Sequence, residues 1–306
     1  MDVVRCDHVT RRFGAARALN DVSFTVAKGE IFCMVGPRGA GKTTLIECLT
    51  GTDRPTEGTI EVFDTDPATR HRDIAGRLGV QPQHPSLMPH LSVAETLRFF
   101  SAMHNDALPW QDLLESLGLS DEKRTKVRRL TVEQQQKISL ALSFLHQPEL
   151  LILDEPTAGL QPQDQQDMWE ALNTMCDYGT TIFLVTQDLN EVEQLCDRVG
   201  VMDRGELLTT GTVPGLIRGC VGESAAFLSL DQPAGTVPNL TELAGVTRIV
   251  PEGLSLTVYG QGGFVHRILA HLAAHGIQVT TMNVTEPKFA DVFFNLTGRS
   301  FDEAAA

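Results

Sequence analysis

Between Asp21 and Ala27 apolar Val22, Phe24 and Val26 alternate with polar neighbours, the period of a half-buried strand, and Lys28-Gly29 turns the chain into the unbroken apolar run 31–35. That run feeds a glycine-rich loop. Beyond it, residues 43–50 predict a helix closed by Gly51, and 58–63 and 79–81 predict further short strands. Over 85–147 the period becomes helical: Leu113, Leu114 and Leu117 precede Gly118, and Ile138, Ala141, Leu142 and Leu145 stand at i, i+3, i+4 and i+7 before Pro148. Strands return at 150–153, 181–185 and 199–202, and a helix between the first two places Met168, Leu172, Met175 and Cys176 on one face. The pattern predicts an α/β domain over 1–219 with a helical subdomain inserted over about 85–147. Past Gly219 strand-like and helical stretches follow in the order β-α-β-β-α-β, with the first helix near 240–244, so a small ferredoxin-like α+β domain is expected over 220–306. The polar tail 302–306 is expected to fray.

Composition narrows the function classes. At 306 residues the chain has room for one large core and a smaller appended one. No apolar run approaches the roughly 18 residues of a membrane span, and Met1-Asp2-Val3-Val4-Arg5 lacks the flank and core of a secretory signal, so a cytoplasmic location is expected. The net charge of −14 excludes phosphate-backbone binding as the main task, and the one basic run, 123–129, is read as a solvated helix face. Six scattered cysteines, several inside apolar runs, are expected to be reduced packing residues.

The candidate chemistry lies in two segments. Gly36-Pro37-Arg38-Gly39-Ala40-Gly41-Lys42-Thr43 satisfies GxxxxGK[ST] between a strand and a helix, the context the pattern requires. Glycines let the backbone curl so that successive N–H groups point at phosphate, Lys42 is placed for the β and γ phosphates, Thr43 for magnesium, and Thr44 continues the helix N-terminus that favours an anion. The apolar run 150–153 leads to Asp154, placed to hold the metal, and Glu155, placed to polarise an attacking water. ATP and Mg2+ are the expected cofactors.

With these motifs in order, the chain resembles an ATP-binding cassette (ABC) transporter subunit over nearly its whole length. The resemblance implies a P-loop fold with a RecA-like core, an antiparallel β subdomain and the helical insert. It implies that Phe13, in Arg12-Phe13-Gly14, stacks on adenine, and that Gln83, in Pro82-Gln83, contacts magnesium and relays to the membrane partner. Ala158-Gly159-Leu160-Gln161-Pro162 resembles the D-loop, and Leu195-Cys196-Asp197-Arg198-Val199 with Gly205 the closing strands. The ending from Glu286 to Arg299 is similar to the tail of daunorubicin-resistance-type exporter ATPases. The implied partners are transmembrane permease subunits and a second ATPase subunit, identical or different, which would hold the chain on the cytoplasmic face of the membrane.

Three departures bear on catalysis. The signature LSGGQ is here Leu130-Thr131-Val132-Glu133-Gln134, the D-loop aspartate is Gln161, and the switch histidine is Gln187. In the family the signature of one subunit closes on the γ-phosphate held by the other. Val132 and Glu133 add side chains where backbone must approach, and one pair of like charges at about 4 Å costs roughly 4 kcal/mol at an effective dielectric near 20. Thr131 as N-cap with Gln134 at N3 also forms a capping-box pattern, so the segment either keeps the trans contact or only starts a helix. Gln187 donates a hydrogen bond but carries no charge and shuttles no proton. Arg38, where the family has asparagine, either meets phosphate or the facing subunit or is solvated. Slow or partner-dependent hydrolysis is expected, with a regulatory cassette that hydrolyses little as the alternative.

Overall fold

The computed structural model describes every residue except 105, 221–222, 238–239, 286 and 299–306, so the expected fraying at 302–306 lies outside the described residues. Its contacts divide the chain near residue 213. The first unit opens with a hairpin of β1 (Asp2–Phe13) and β2 (Ala16–Ala27), followed by β3 (Ile31–Val35), α1 (Lys42–Leu49), β4 (Glu57–Val62), the short α2 (His71–Ile74) and β5 (Leu78–Gln81). Helices α3 (Val93–Ser101), α4 (Trp110–Ser116) and α5 (Val132–Phe144) occupy the stretch of helical period. The basic run expected as a helix face is two 3-10 turns, Ser120–Arg124 and Val127–Arg129. Then come β6 (Leu150–Asp154), α6 (Pro162–Asp177), β7 (Thr181–Thr186), α7 (Leu189–Leu195), β8 (Arg198–Asp203) and β9 (Glu206–Gly211), and α8 (Val213–Cys220) leads out.

Two sheets build this unit. An antiparallel sheet of order β2-β1-β4 faces a six-stranded sheet of order β5-β6-β7-β3-β8-β9, parallel except for β9. Strands β3, β6 and β7 are buried along their full length, because a parallel sheet covered on both faces leaves no polar side and reads as continuous apolar sequence. Phe24, Phe32 and Phe183 stack at 5.5 to 6.0 Å where the two sheets meet. Strand β1 and the first residues of β2 escape a period-two reading for a physical reason. Their pairing shifts register four times, and His8 and Asp21 adopt positive φ of 52° and 58°, so the alternation is repeatedly broken.

The cysteines divide by place. Cys33 on β3 and Cys196 after α7 bring their side chains together, their Cα atoms 5.9 Å apart across 163 residues, whereas Cys6 and Cys48 are buried and Cys176 and Cys220 half-buried. Spacing along the chain carries no sign of this pair, which the fold brings together.

The second unit holds β10 (Ser224–Leu230), β11 (Val246–Glu252), β12 (Ser255–Gly260), α9 (Phe264–Ala274), β13 (Val279–Thr285) and α10 (Phe289–Thr297). Its antiparallel sheet has the order β11-β12-β10-β13, that of a β-α-β-β-α-β unit. The helix expected near residue 240 is instead a pair of 3-10 turns, Ala234–Thr236 and Leu240–Glu242. Pro233, Gly235 and Gly245 in that connection disfavour any longer helix. Leu228, Leu240, Val258, Ile268 and Leu272 form its core.

Candidate nucleotide and magnesium site

The loop from Gly36 to Gly41 leaves the end of β3, the strand between β7 and β8, and enters α1 at Lys42. Gly39 and Gly41 take φ of +76° and +100°, and a Cβ at Gly36 or Gly41 would strike the carbonyl of Met202 or of Ala18. The glycine pattern is therefore a demand of both conformation and close approach. Gly41 is the N-cap and offers no side-chain cap, so the first N–H groups of α1 are left for a ligand. The β8–β9 turn braces the loop from behind, with Gly205 N–H donating to Ala40 O at 3.0 Å and Asn20 N–H to Gly205 O at 2.8 Å. Pro37 and Ala40 are buried, Arg38 and Gly39 exposed, and Thr44 half-buried.

Lys42 is 6% exposed and its ammonium donates to the carbonyls of Gly36 and Pro37, spanning the loop it serves. Burial lowers its pKa, opposed by the charges of Glu155 and Asp154. Asp154 ends β6 with its carboxylate 3.5 Å from the Thr43 hydroxyl. Burial first, and the Glu155 charge second, push the Asp154 carboxyl up to about 6. A dication held by the Thr43 and Asp154 oxygens would relieve both effects, and hard oxygen donors suit magnesium, so the residues present fit it.

Glu155 follows with φ of +52°, a left-handed conformation that costs a residue with a Cβ about 1 to 2 kcal/mol. The turn is held by Glu155 N–H donating to Val185 O at 2.8 Å, and it aims the carboxylate at Gln187. Gln187 answers with its backbone N–H, 3.1 Å from Oε2, and its amide Nε2, 2.6 Å from Oε1. Lys42, Thr43, Asp154, Glu155 and Gln187 are thus brought together from the ends of three adjacent strands.

Other expected residues stand elsewhere. Phe13, 49% exposed at the end of β1, has the Arg11 guanidinium 4.5 Å from its ring centre. Gln83 is half-buried just past β5, and its carbonyl accepts from Gln136 Nε2 at 3.5 Å. The signature segment opens α5 through a complete capping box: Gln134 N–H donates to Thr131 Oγ1 at 3.2 Å and Thr131 N–H to Gln134 Oε1 at 3.0 Å. Val132 is 66% exposed. Glu133 turns back along the helix to Lys137 Nζ at 3.1 Å, which also reaches Asp164 of α6 at 3.2 Å. Thr131→Ala is expected to lower stability by about 1 kcal/mol, read as a fall of about 2–4 °C in the thermal midpoint, while ATP affinity measured by calorimetry on the isolated chain stays unchanged.

Sequence reasoning missed Lys137, Asp164, Gln81 and Glu191. Gln81 and Glu191 carried one legible signal, a polar residue at a position that apolar periodicity assigns to the core; both are 0% exposed. Gln81 Nε2 donates to Gln136 Oε1 at 2.8 Å, joining the strand before Gln83 to the helix after the signature.

Known proteins resemble the chain in sequence and in fold. A family model described as ABC transporter matches residues 19–158. The chain is 32% identical to a daunorubicin resistance ATP-binding protein of Streptomyces coeruleorubidus, over 99% of this chain and 98% of that one. It belongs to the ABC transporter ATP-binding proteins. The cassette is also 34% identical to Nod factor export ATP-binding protein I of Bradyrhizobium diazoefficiens, over 96% of each chain. A solved ATP-binding subunit of an ABC transporter superposes with a TM-score of 0.66 at 26% identity, covering 72% of this chain and 93% of that one. The fold is thus the RecA-like P-loop core with its β-sheet subdomain and helical insertion. As an ATP-binding subunit of an ABC transporter, the cassette couples nucleotide binding and hydrolysis to transport through membrane partners. Among the described residues no helix is long and apolar enough to cross a membrane.

Proposed function

We propose that this cassette energises an exporter of the drug-resistance kind from the cytoplasmic face of the membrane, and that its own turnover is slow or dependent on its partners. The observation that carries the reading is the 2.6 Å bond from Gln187 Nε2 to Glu155 Oε1. The carboxylate that would polarise the attacking water is held by an amide, which orients it without a positive charge and without a proton to pass on. The two relatives named above, a resistance protein and an export protein, support export.

Each residue's part in this proposal rests on the site geometry together with the family resemblance. Lys42 would exchange the carbonyls of Gly36 and Pro37 for the β and γ phosphate oxygens, and the N–H groups of Gly36 and of residues 38–44 would cradle them; Pro37 has no N–H to give. Thr43, Asp154 and Gln83 would hold Mg2+, which when bound would neutralise phosphate charge. Glu155 accepts the proton of the attacking water, Gln187 faces the γ-phosphate, and Phe13 stacks on adenine. Thr131, Val132, Glu133 and Gln134 face the site of a second cassette. Leu87, Met88, Leu91, Phe99 and Phe100, of which Phe99 is 44% exposed, dock the transmembrane permease subunits.

A second reading has its own support. The chain of ion pairs Glu133–Lys137–Asp164 commits the signature carboxylate to holding α5 on α6, which suits a regulatory cassette that binds ATP and supports a more active partner. The unit beyond residue 213 would then serve as its regulatory or dimerisation domain. The test is to copurify the cassette with its permease, count cassettes of each type, and compare ATPase rates. The isolated chain is expected to show little activity and the complex much more. Brisk, concentration-dependent turnover by the isolated chain would sink both readings of a weakened site.

A further inference from the structure

Glu191, on the first turn of α7, has no exposed surface, yet it is a carboxylate in a position that a glutamine or an apolar residue would fill at less desolvation cost. Its Oε1 accepts from the hydroxyl of Thr157 at 3.0 Å and from the indole Nε1 of Trp169 at 3.1 Å, while its buried Oε2 has no hydrogen-bond partner. These partners come from two different places. Thr157 lies in the turn that follows Glu155, where Ala158 N–H donates to Glu155 O at 3.2 Å and Leu160 N–H to Thr157 O at 3.1 Å. Trp169 lies in α6, which follows 158–162. Glu191's own helix begins at its N-cap Asp188, next to Gln187, which holds Glu155. The contacts close a ring: Glu155 to Gln187, along α7 to Glu191, across to Thr157, and back through the turn to Glu155.

We infer that Glu191 is a positioning residue that locks the Glu155–Gln187 pair to the 157–162 segment and to α6, so that movement of that segment on nucleotide binding is transmitted to the pair. The inference rests on the reading of Glu155 and Gln187 given above. A residue that only packed α6 against α7 would need one acceptor. A carboxyl group keeps a second buried oxygen without a hydrogen-bond partner, and such a group answers to small changes in its surroundings. Burial pushes its carboxyl up to about 7, opposed by the nearby Thr186 hydroxyl and by the donors Trp169 and Thr157, and reinforced by Asp188. The groups that face it are therefore Thr157 from the turn, Trp169 from α6, Thr186 from β7 and Asp188 at the start of α7. Because the folded value lies above the ordinary carboxylate range, Glu191 favours the fold at low pH, and that contribution is lost as pH rises through about 7.

Trp169 makes the lock observable, since the chain has two tryptophans and Trp110→Phe leaves Trp169 alone. In the full chain with that background, Trp169 fluorescence is expected to titrate with a midpoint near 7. Glu191→Gln should abolish the step. Thr157→Val, which removes one donor, should move the midpoint up by about 0.5 to 1 in pH. Mg·ATP should change the Trp169 signal and its midpoint in the background protein and leave the signal of Glu191→Gln unchanged, while calorimetry gives both the same ATP affinity. A flat titration, a step that survives Glu191→Gln, or bound Mg·ATP that leaves Trp169 and its midpoint unmoved would each overturn the inference. Failure of Mg·ATP to bind at all would instead overturn the functional reading, and the pH step would still decide whether Glu191 is coupled to Trp169.

Discussion

Lys42→Ala is expected to weaken Mg·ATP binding by about 100-fold to 1,000-fold, the equivalent of about 3 to 4 kcal/mol. The ammonium sits almost fully buried against the Gly36 and Pro37 carbonyls, 6% exposed, at the mouth of a loop whose other donors are backbone N–H groups. It is the one full positive charge of the cradle that faces inward, since Arg38 is exposed. Without it the helix N-terminus still attracts an anion, but with a partial charge worth about 0.3 to 1 kcal/mol at the surface, too little to hold a triphosphate alone. Stability is the control. Burial depresses the Lys42 pKa, so in the nucleotide-free chain the charge is an electrostatic burden, and the substitution should leave the thermal midpoint nearly unchanged. Calorimetric ATP affinity within a few-fold of the parent, on a folded variant, would remove Lys42 from the site.

How much of this was legible beforehand depended on how local each feature is. The loop from Gly36 to Thr43 is fully written in eight residues, because its conformation and close contacts are set by its own glycines. The buried strands β3, β6 and β7 announce themselves as unbroken apolar runs, and the capping box at Thr131 is a four-residue pattern that the structure forms as expected. Features that depend on pairing at long range were hidden. The register shifts of β1 blur its period, and the contact between Cys33 and Cys196 spans 163 residues. The fate of Glu133 was hidden for a related reason. Its sequence position suggests a carboxylate aimed outward at a phosphate, but Lys137 one turn later and Asp164 on another helix decide its direction. The same holds for Gln187, whose first partner is Glu155 of its own chain.

Those two findings shape the second large effect. Val132→Gly with Glu133→Gly, and separately Gln187→His, are each expected to raise Mg·ATP turnover of the assembled transporter, the histidine by about 100-fold at saturating nucleotide, the low end of what a placed acid–base group contributes. Histidine at 187 keeps a donor to Glu155 and adds a charge and a mobile proton. The two glycines restore backbone approach at the start of α5, but at a structural cost. Glycine in the first turn and loss of the Glu133–Lys137 pair together cost about 1 to 2 kcal/mol, so Lys137 is left to Asp164 alone and the thermal midpoint should drop. Rate and stability therefore move in opposite directions, which separates a catalytic gain from a better-folded protein. On the function proposed above the changes also act at different places, because there Gln187 would serve the P-loop of its own chain and the signature the facing one. Beside a second, different cassette, each change raises the rate at only one of the two sites and the effects add. In a pair of identical chains both changes act at both sites and the effects multiply. Unchanged turnover with all three substitutions in a folded complex would show that the altered residues do not limit hydrolysis.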